Sequence, residues 1–240
     1  MAEVRRALAR SLEASGRGTR ASRLLGGSLR SHFRTSAPGA PRTSATGAAF
    51  LLAVLLLLTG CSANVKAGEL HGQVLDPPFT VSTQALVDTD GQPYSLATST
   101  DKRLTLVFFG YTNCPDICGT VMGNLASAMT RLDDRDREQV DVVFVTTDPE
   151  RDTGPVLRRY LDRYDKSFIG LTGPVDEIAA VAKSVAVGMG QKLPTGGYDV
   201  SAHTTQVTGI DSDDQAPIYW SRSTSSAQFA QDIHTLLGKS

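Results

Sequence analysis

Cys114-Pro115-Asp116-Ile117-Cys118 places two of the chain's three cysteines with three residues between them. Such a pair has three chemistries open to it: a redox dithiol, half of a soft-metal site, or a structural disulfide. It follows an apolar run, Leu104 to Thr112. It precedes a stretch with apolar residues at helical spacing, Val121, Met122, Leu125, Ala128, Met129 and Leu132. A strand-to-helix turn of this kind is where an open α/β sheet binds its ligands. Thiols there meet the positive end of the helix dipole, which favours thiolate. Pro115 suits the first helical turn, where its missing N–H costs nothing. If residues 114–118 are helical, the i, i+4 spacing brings both sulfurs to one face, where they bond each other or share a metal.

Soft thiolates select Cu(I), zinc or iron–sulfur clusters. A structural zinc site wants four ligands and an iron–sulfur cluster four cysteines, and two cysteines meet neither demand alone. Cu(I) is content with two or three soft ligands, and one added histidine makes a site that also holds Cu(II). Three histidines lie beyond residue 60. His71 falls in a polar linking segment, and His234 in the last predicted helix beside Asp232. His203 heads a predicted strand after the glycine-bearing loop "TGGYDVSAHTTQV" and is the candidate third ligand. A lone histidine at a strand edge is by default a polar surface residue, so position alone does not make it one.

The elements that position these residues begin with a leader. Residues 1–60 hold nine arginines, no lysine and two acids, Glu3 and Glu13. Residues 1–45 read as disordered from composition. The apolar run Ala48 to Leu58 is shorter than the roughly 17–25 residues needed to cross a bilayer but suits the core of a signal peptide. Leu58-Thr59-Gly60-Cys61 resembles a bacterial lipobox, which predicts lipidation at Cys61 and a body on the outer face of the cytoplasmic membrane. Residues 61–240 carry 15 basic and 23 acidic side chains, a formal charge of −8. That balance argues against nucleic acid, whose phosphates would find nothing to neutralise them. With Cys61 given to lipid, the remaining pair would by default form a disulfide outside the cytoplasm. A core of about 165 residues needs no such staple.

Residues 61–80, polar and Pro/Gly-bearing, read as a tether, and 81–240 as one domain. Asp90-Gly91 marks a hairpin turn. Apolar runs predict buried strands at 104–112, 140–148 and 168–173. Helical periodicity falls at 119–132, 154–164 and 175–187. An antiparallel pair, 203–211 with 216–221, and a final helix, 226–237, close the chain. Alternating strands and helices predict a three-layer α/β domain, a central mixed sheet flanked by helices.

"FFGYTNCPDICGT", "VTTDPERDT" and "GGYDVSAHTT" resemble, in order and spacing, three signatures of the Sco/SenC family. These are thioredoxin-like, copper-binding assembly factors for the CuA centre of cytochrome c oxidase. The resemblance runs from Leu70 to Leu237. It implies a thioredoxin-like fold, with Cys114 and Cys118 as copper thiolates and His203 as the distal ligand. Asp148 matches a family aspartate near the site, although Asp148-Pro149 is equally suited to capping the turn that follows. Arg151 and Asp152 read as a surface pair or as part of the same loop. Two positions depart from the family pattern. Gly119 stands where many members have proline, and Ala202 where an aspartate usually precedes the histidine. That aspartate would orient the imidazole, and Asp199 is the nearby candidate to replace it.

The resemblance implies a lipid-anchored, extracytoplasmic copper chaperone whose partner is the oxidase subunit carrying CuA, with other copper chaperones or thiol reductants beside it. The alternative is a thiol–disulfide oxidoreductase that keeps extracytoplasmic cysteines reduced, so whether the chain is an enzyme stays open. Thioredoxin-type reductases favour a two-residue spacer and a proline just ahead of the facing strand. Here the spacer has three residues, and the nearest proline before His203 is Pro194. A peroxidase would need a resolving cysteine or a supporting arginine that the sequence does not identify.

Overall fold

The run from Leu104 to Gly110 is buried at every residue, as a strand with no polar face must be when both sides are covered. In this computed structural model, which describes residues 69–194, 197–199 and 202–238, it is the fourth of eight strands. In chain order these are β1 (Gln73–Thr80), β2 (Ala85–Asp88), β3 (Pro93–Ser95), β4 (Leu104–Gly110), β5 (Val140–Thr146), β6 (Ile169–Thr172), β7 (Val207–Asp211) and β8 (Gln215–Trp220). The helices are α1 (Ile117–Arg131), α2 (Asp134–Arg137), α3 (Gly154–Leu161), α4 (Val175–Ser184) and α5 (Ser226–Gly238). The leader, and Cys61 with it, lies outside the described residues.

The sheet order is β1-β8-β7-β4-β5-β6-β2-β3. β4, β5 and β6 are parallel, and β7 runs antiparallel to β4. This is the mixed, helix-flanked α/β sheet that the alternation of apolar runs predicts. Successive side chains of a strand point to opposite faces, so β4 divides its burial between two cores. Leu106 and Phe108 pack with Met122 and Leu125 of α1, Leu157 of α3, and Phe229 and Ile233 of α5. Val107 and Phe109 pack on the other face with Ile178 and Val181 of α4 and with Leu86 and Leu96. Burying one such side chain contributes on the order of 2–3 kcal/mol, so the strand that leads into the cysteines is anchored from both sides.

Three local readings change. Residues 73–80 are not tether but the edge strand β1, paired from Gln73↔Tyr219 to Thr80↔Gln215 with a register shift between Val74 and Phe79. The prolines at 77 and 78 fall in that shift, and an edge strand tolerates residues that cannot donate to the ladder. Helix α1 begins at Ile117 rather than at the first cysteine. β7 begins at Val207, so His203 lies in the loop ahead of the strand rather than at its head. The short helix α2 was not legible. It is capped by Asp133, whose carboxylate accepts from the Asp136 N–H.

Candidate metal centre

The centre is built where β4 ends. Cys114 lies in the turn, its own N–H donating to the Tyr111 carbonyl at 3.2 Å. Cys118 is the second residue of α1 and is fully buried in the core beneath it. The helix N-terminus has unspent N–H groups. Asp116, at the cap position, makes no side-chain bond to them and the first turn holds no acid. The Cys114 sulfur takes that place, accepting from the Cys118 N–H at 3.4 Å.

The two thiols are therefore unlike. Burial raises Cys114, but the Cys118 thiol and the backbone N–H groups of Cys118, Asp116 and Ile117 all favour its thiolate, and the net displacement is downward. Burial pushes Cys118 far up, and its hydrogen bond to Cys114 holds the proton in place. Gly110 makes room for the buried sulfur, since a Cβ there would stand 3.0 Å from Cys118 Sγ. At Gly119 a Cβ would meet only the Tyr164 hydroxyl, at 3.4 Å.

His203 is 8% exposed. Its Nδ1 lies 2.9 Å from the Thr204 carbonyl, and a carbonyl can only accept, so Nδ1 carries the proton and Nε2 keeps its lone pair. Burial lowers the pKa of the ring and the Thr204 bond opposes this, with a downward result, so the imidazole is neutral as a metal ligand must be. The backbone thus supplies the orienting acceptor that Ala202 cannot. The ring stands edge-on to Tyr111, centroids 6.0 Å apart, and burial, with the Cys114 and Cys118 sulfurs close by, pushes the Tyr111 hydroxyl up from its ordinary pKa. Among the described residues no three of His, Cys, Asp and Glu form a ready-made metal site. The structure brings the two sulfurs together and sets His203 against Tyr111, without completing a three-donor cluster among the described residues.

Asp148 does not cap the following helix, whose cap position is Thr153. Its side chain pairs with Arg151, while its carbonyl accepts from the N–H groups of Arg151 and Asp152. Asp148 and Asp199 both line a groove of about 700 Å³ with Glu150, Arg151, Leu193 and Tyr198. It opens where β5 and β6 end, beside the cysteine turn. Asp199 accepts from Ala202 N through its carbonyl and donates its own N–H to Gln191. The larger surprise is Asp152. Far from pairing with Arg151 at the surface, it is 1% exposed and accepts three hydrogen bonds from Thr112 and Thr146. Its place in the "VTTDPERDT" signature was its sequence signal. Nothing in local spacing names Tyr111 or Thr112.

The family model described as SCO1/SenC matches residues 73–238. Over 122 residues the chain is 34% identical to the protein SCO2, mitochondrial, of Saccharomyces cerevisiae, covering 50% of this chain and 38% of that one. The chain spans about half the length of the curated relatives it matches. Among solved structures it resembles apo Sco1 from Thermus thermophilus, with TM-score 0.62 and 29% identity over 71% of this chain and 99% of that one. It also resembles Bradyrhizobium japonicum ScoI with copper bound, with TM-score 0.54 and 31% identity over 65% and 96% of the two chains.

Proposed function

Because this chain belongs to the SCO1/SenC family, we propose that it is a copper carrier that hands the metal to the oxidase subunit bearing the CuA centre. The observation that carries this reading is the pairing of two sulfurs at the start of α1, one favoured as thiolate by the N–H groups around it. Cu(I) is the soft ion such a pair selects. Cys114 offers its sulfur with little protonic cost, whereas Cys118 must surrender a well-held proton, so uptake releases protons and strengthens as pH rises. His203 presents Nε2 as the third donor, the one that Cu(II) needs more than Cu(I). Asp148 and Asp199 shape the neighbouring groove and stay outside the ligand set. A lipid on Cys61 would hold the domain at the outer face of the cytoplasmic membrane. There a thiol reductant, or another copper chaperone, would meet it.

An anaerobic titration of the reduced protein with Cu(I), against a chelator of known affinity, tests the proposal. One tightly held copper per chain is expected, lost in Cys114→Ser. His203→Ala should weaken Cu(II) binding by at least tenfold more than Cu(I) binding. Copper uptake by wild type no better than by Cys114→Ser would remove the carrier reading.

A second reading, a thiol–disulfide oxidoreductase for extracytoplasmic cysteines, is favoured by the inequality of the thiols. A half-buried sulfur of lowered pKa beside a buried sulfur of raised pKa suits attack by the first and resolution by the second. If copper does not bind, turnover of a disulfide substrate is the measurement that decides for it.

A further inference from the structure

We propose that Asp152 is the positioning residue of the cysteine pair: a buried carboxylate that holds the turn carrying Cys114 against the end of β5. Its Oδ2 accepts from the Thr112 N–H at 2.9 Å and from the Thr146 hydroxyl at 2.7 Å, and its Oδ1 accepts from the Thr112 hydroxyl at 2.6 Å. Thr112 stands two residues before Cys114, and Thr146 is the last residue of β5. The join is reinforced on both sides. The Thr147 N–H donates to the Gly110 carbonyl at 2.7 Å, and the Asp148 N–H donates to the Thr146 hydroxyl at 3.0 Å.

A carboxylate removed from water is costly unless its oxygens are hydrogen-bonded, and here three donors converge on it. Two of the three belong to the residue that leads into the site. With Asp152 in place, the turn from Tyr111 to Cys114 has little freedom, and the Cys114 sulfur stays over the N–H groups that open α1. Without it, Thr112 loses both anchors and the two sulfurs meet less often. The effective concentration of one thiol at the other then falls, and with it both disulfide formation and shared binding of a metal.

The inference rests on Cys114 and Cys118 acting as a pair, and its test needs no copper. The metal-free disulfide is equilibrated with dithiothreitol. Reduction breaks the Cys114–Cys118 bond and forms the cyclic disulfide of dithiothreitol, passing two electrons and two protons to the protein. Asp152→Ala should shift that equilibrium at least about tenfold towards the protein dithiol. Asp152→Asn should stay within about threefold of wild type. Its Oδ1 can still accept from the Thr112 N–H and the Thr146 hydroxyl, while its amide donates to a turned Thr112 hydroxyl. Rescue by asparagine separates positioning from charge, and the equilibrium constant separates positioning from bare stability.

A folded Asp152→Ala with the wild-type constant overturns the proposal, as does an asparagine variant as displaced as the alanine one. Should Asp152→Ala fail to fold, Thr112→Val removes a single bond and should shift the constant the same way by at least about threefold. An unmoved constant there is equally fatal. A copper titration that fails in wild type would sink the carrier reading and leave this result untouched.

Discussion

A thiol gains reactivity when the backbone already aims N–H groups at the place where its charge will sit, and it loses reactivity when it is taken out of water. Both happen within one turn here. Cys114 receives the helix N–H groups and Cys118 receives the core, so a pair that reads as symmetrical in sequence is chemically one-sided. Iodoacetamide should therefore label Cys114 of the reduced protein at least tenfold faster than Cys118, with half-maximal rate at a pH below that of an ordinary thiol. Peptide mass spectrometry along a pH series reads both quantities, and equal labelling would refute the asymmetry. The linkage has a definite sign. Because the fold lowers the pKa of Cys114, its thiolate adds stability that is complete above the pKa of the unfolded thiol. That contribution disappears as the pH falls through the lowered value.

The elements are more plainly written. Apolar runs made β4, β5 and β6 legible, and 3.6-residue periodicity did the same for α1, α4 and α5, because burial of one stripe or of a whole strand dominates local propensity. The boundaries were less legible. α1 starts at Ile117 because the Cys114 sulfur, not Pro115 or Asp116, satisfies its N-terminus, and no propensity scale anticipates a sulfur cap. The helix also tolerates two glycines with no evident structural demand. A Cβ at Gly123 would meet nothing within 4 Å. Gly123→Ala should thus stabilise the protein by roughly 0.5–1 kcal/mol by relieving backbone entropy. Urea unfolding of the reduced protein would show this as a raised midpoint at unchanged slope. A lowered midpoint would mean that the glycine serves the site.

Across the whole molecule, the topology decides at which end of the sheet the first strand begins. β1 is antiparallel to β8, β8 to β7, and β7 to β4, so Gln73 emerges at the same end of the sheet as Gly110 and the cysteines. The chain is clamped there. Asp232, 1% exposed, accepts from His71 N and Nδ1, Gly72 N and Trp220 Nε1 at between 2.7 and 3.0 Å. His71 and Gly72 are therefore held at the end of the sheet that carries the cysteines. Cys61→Ala should move the protein from the membrane to the soluble fraction and abolish incorporation of labelled fatty acid. Lipid found on the variant would disprove the lipobox reading.

What the sequence by itself determined were features held within a few residues of one another: the strand–cysteine–helix unit, the order of the layers, and the family signatures. Its periodicities report burial, and burial is decided element by element. Tertiary structure alone decided which thiol is half-buried and which fully buried, that Thr204 rather than an aspartate orients His203, that Asp152 faces inward, and that residues 73–80 belong to the sheet. Each of the last two depends on at least one partner 40 or more residues away. The others depend on which face of the turn the core covers, and no local spacing encodes that.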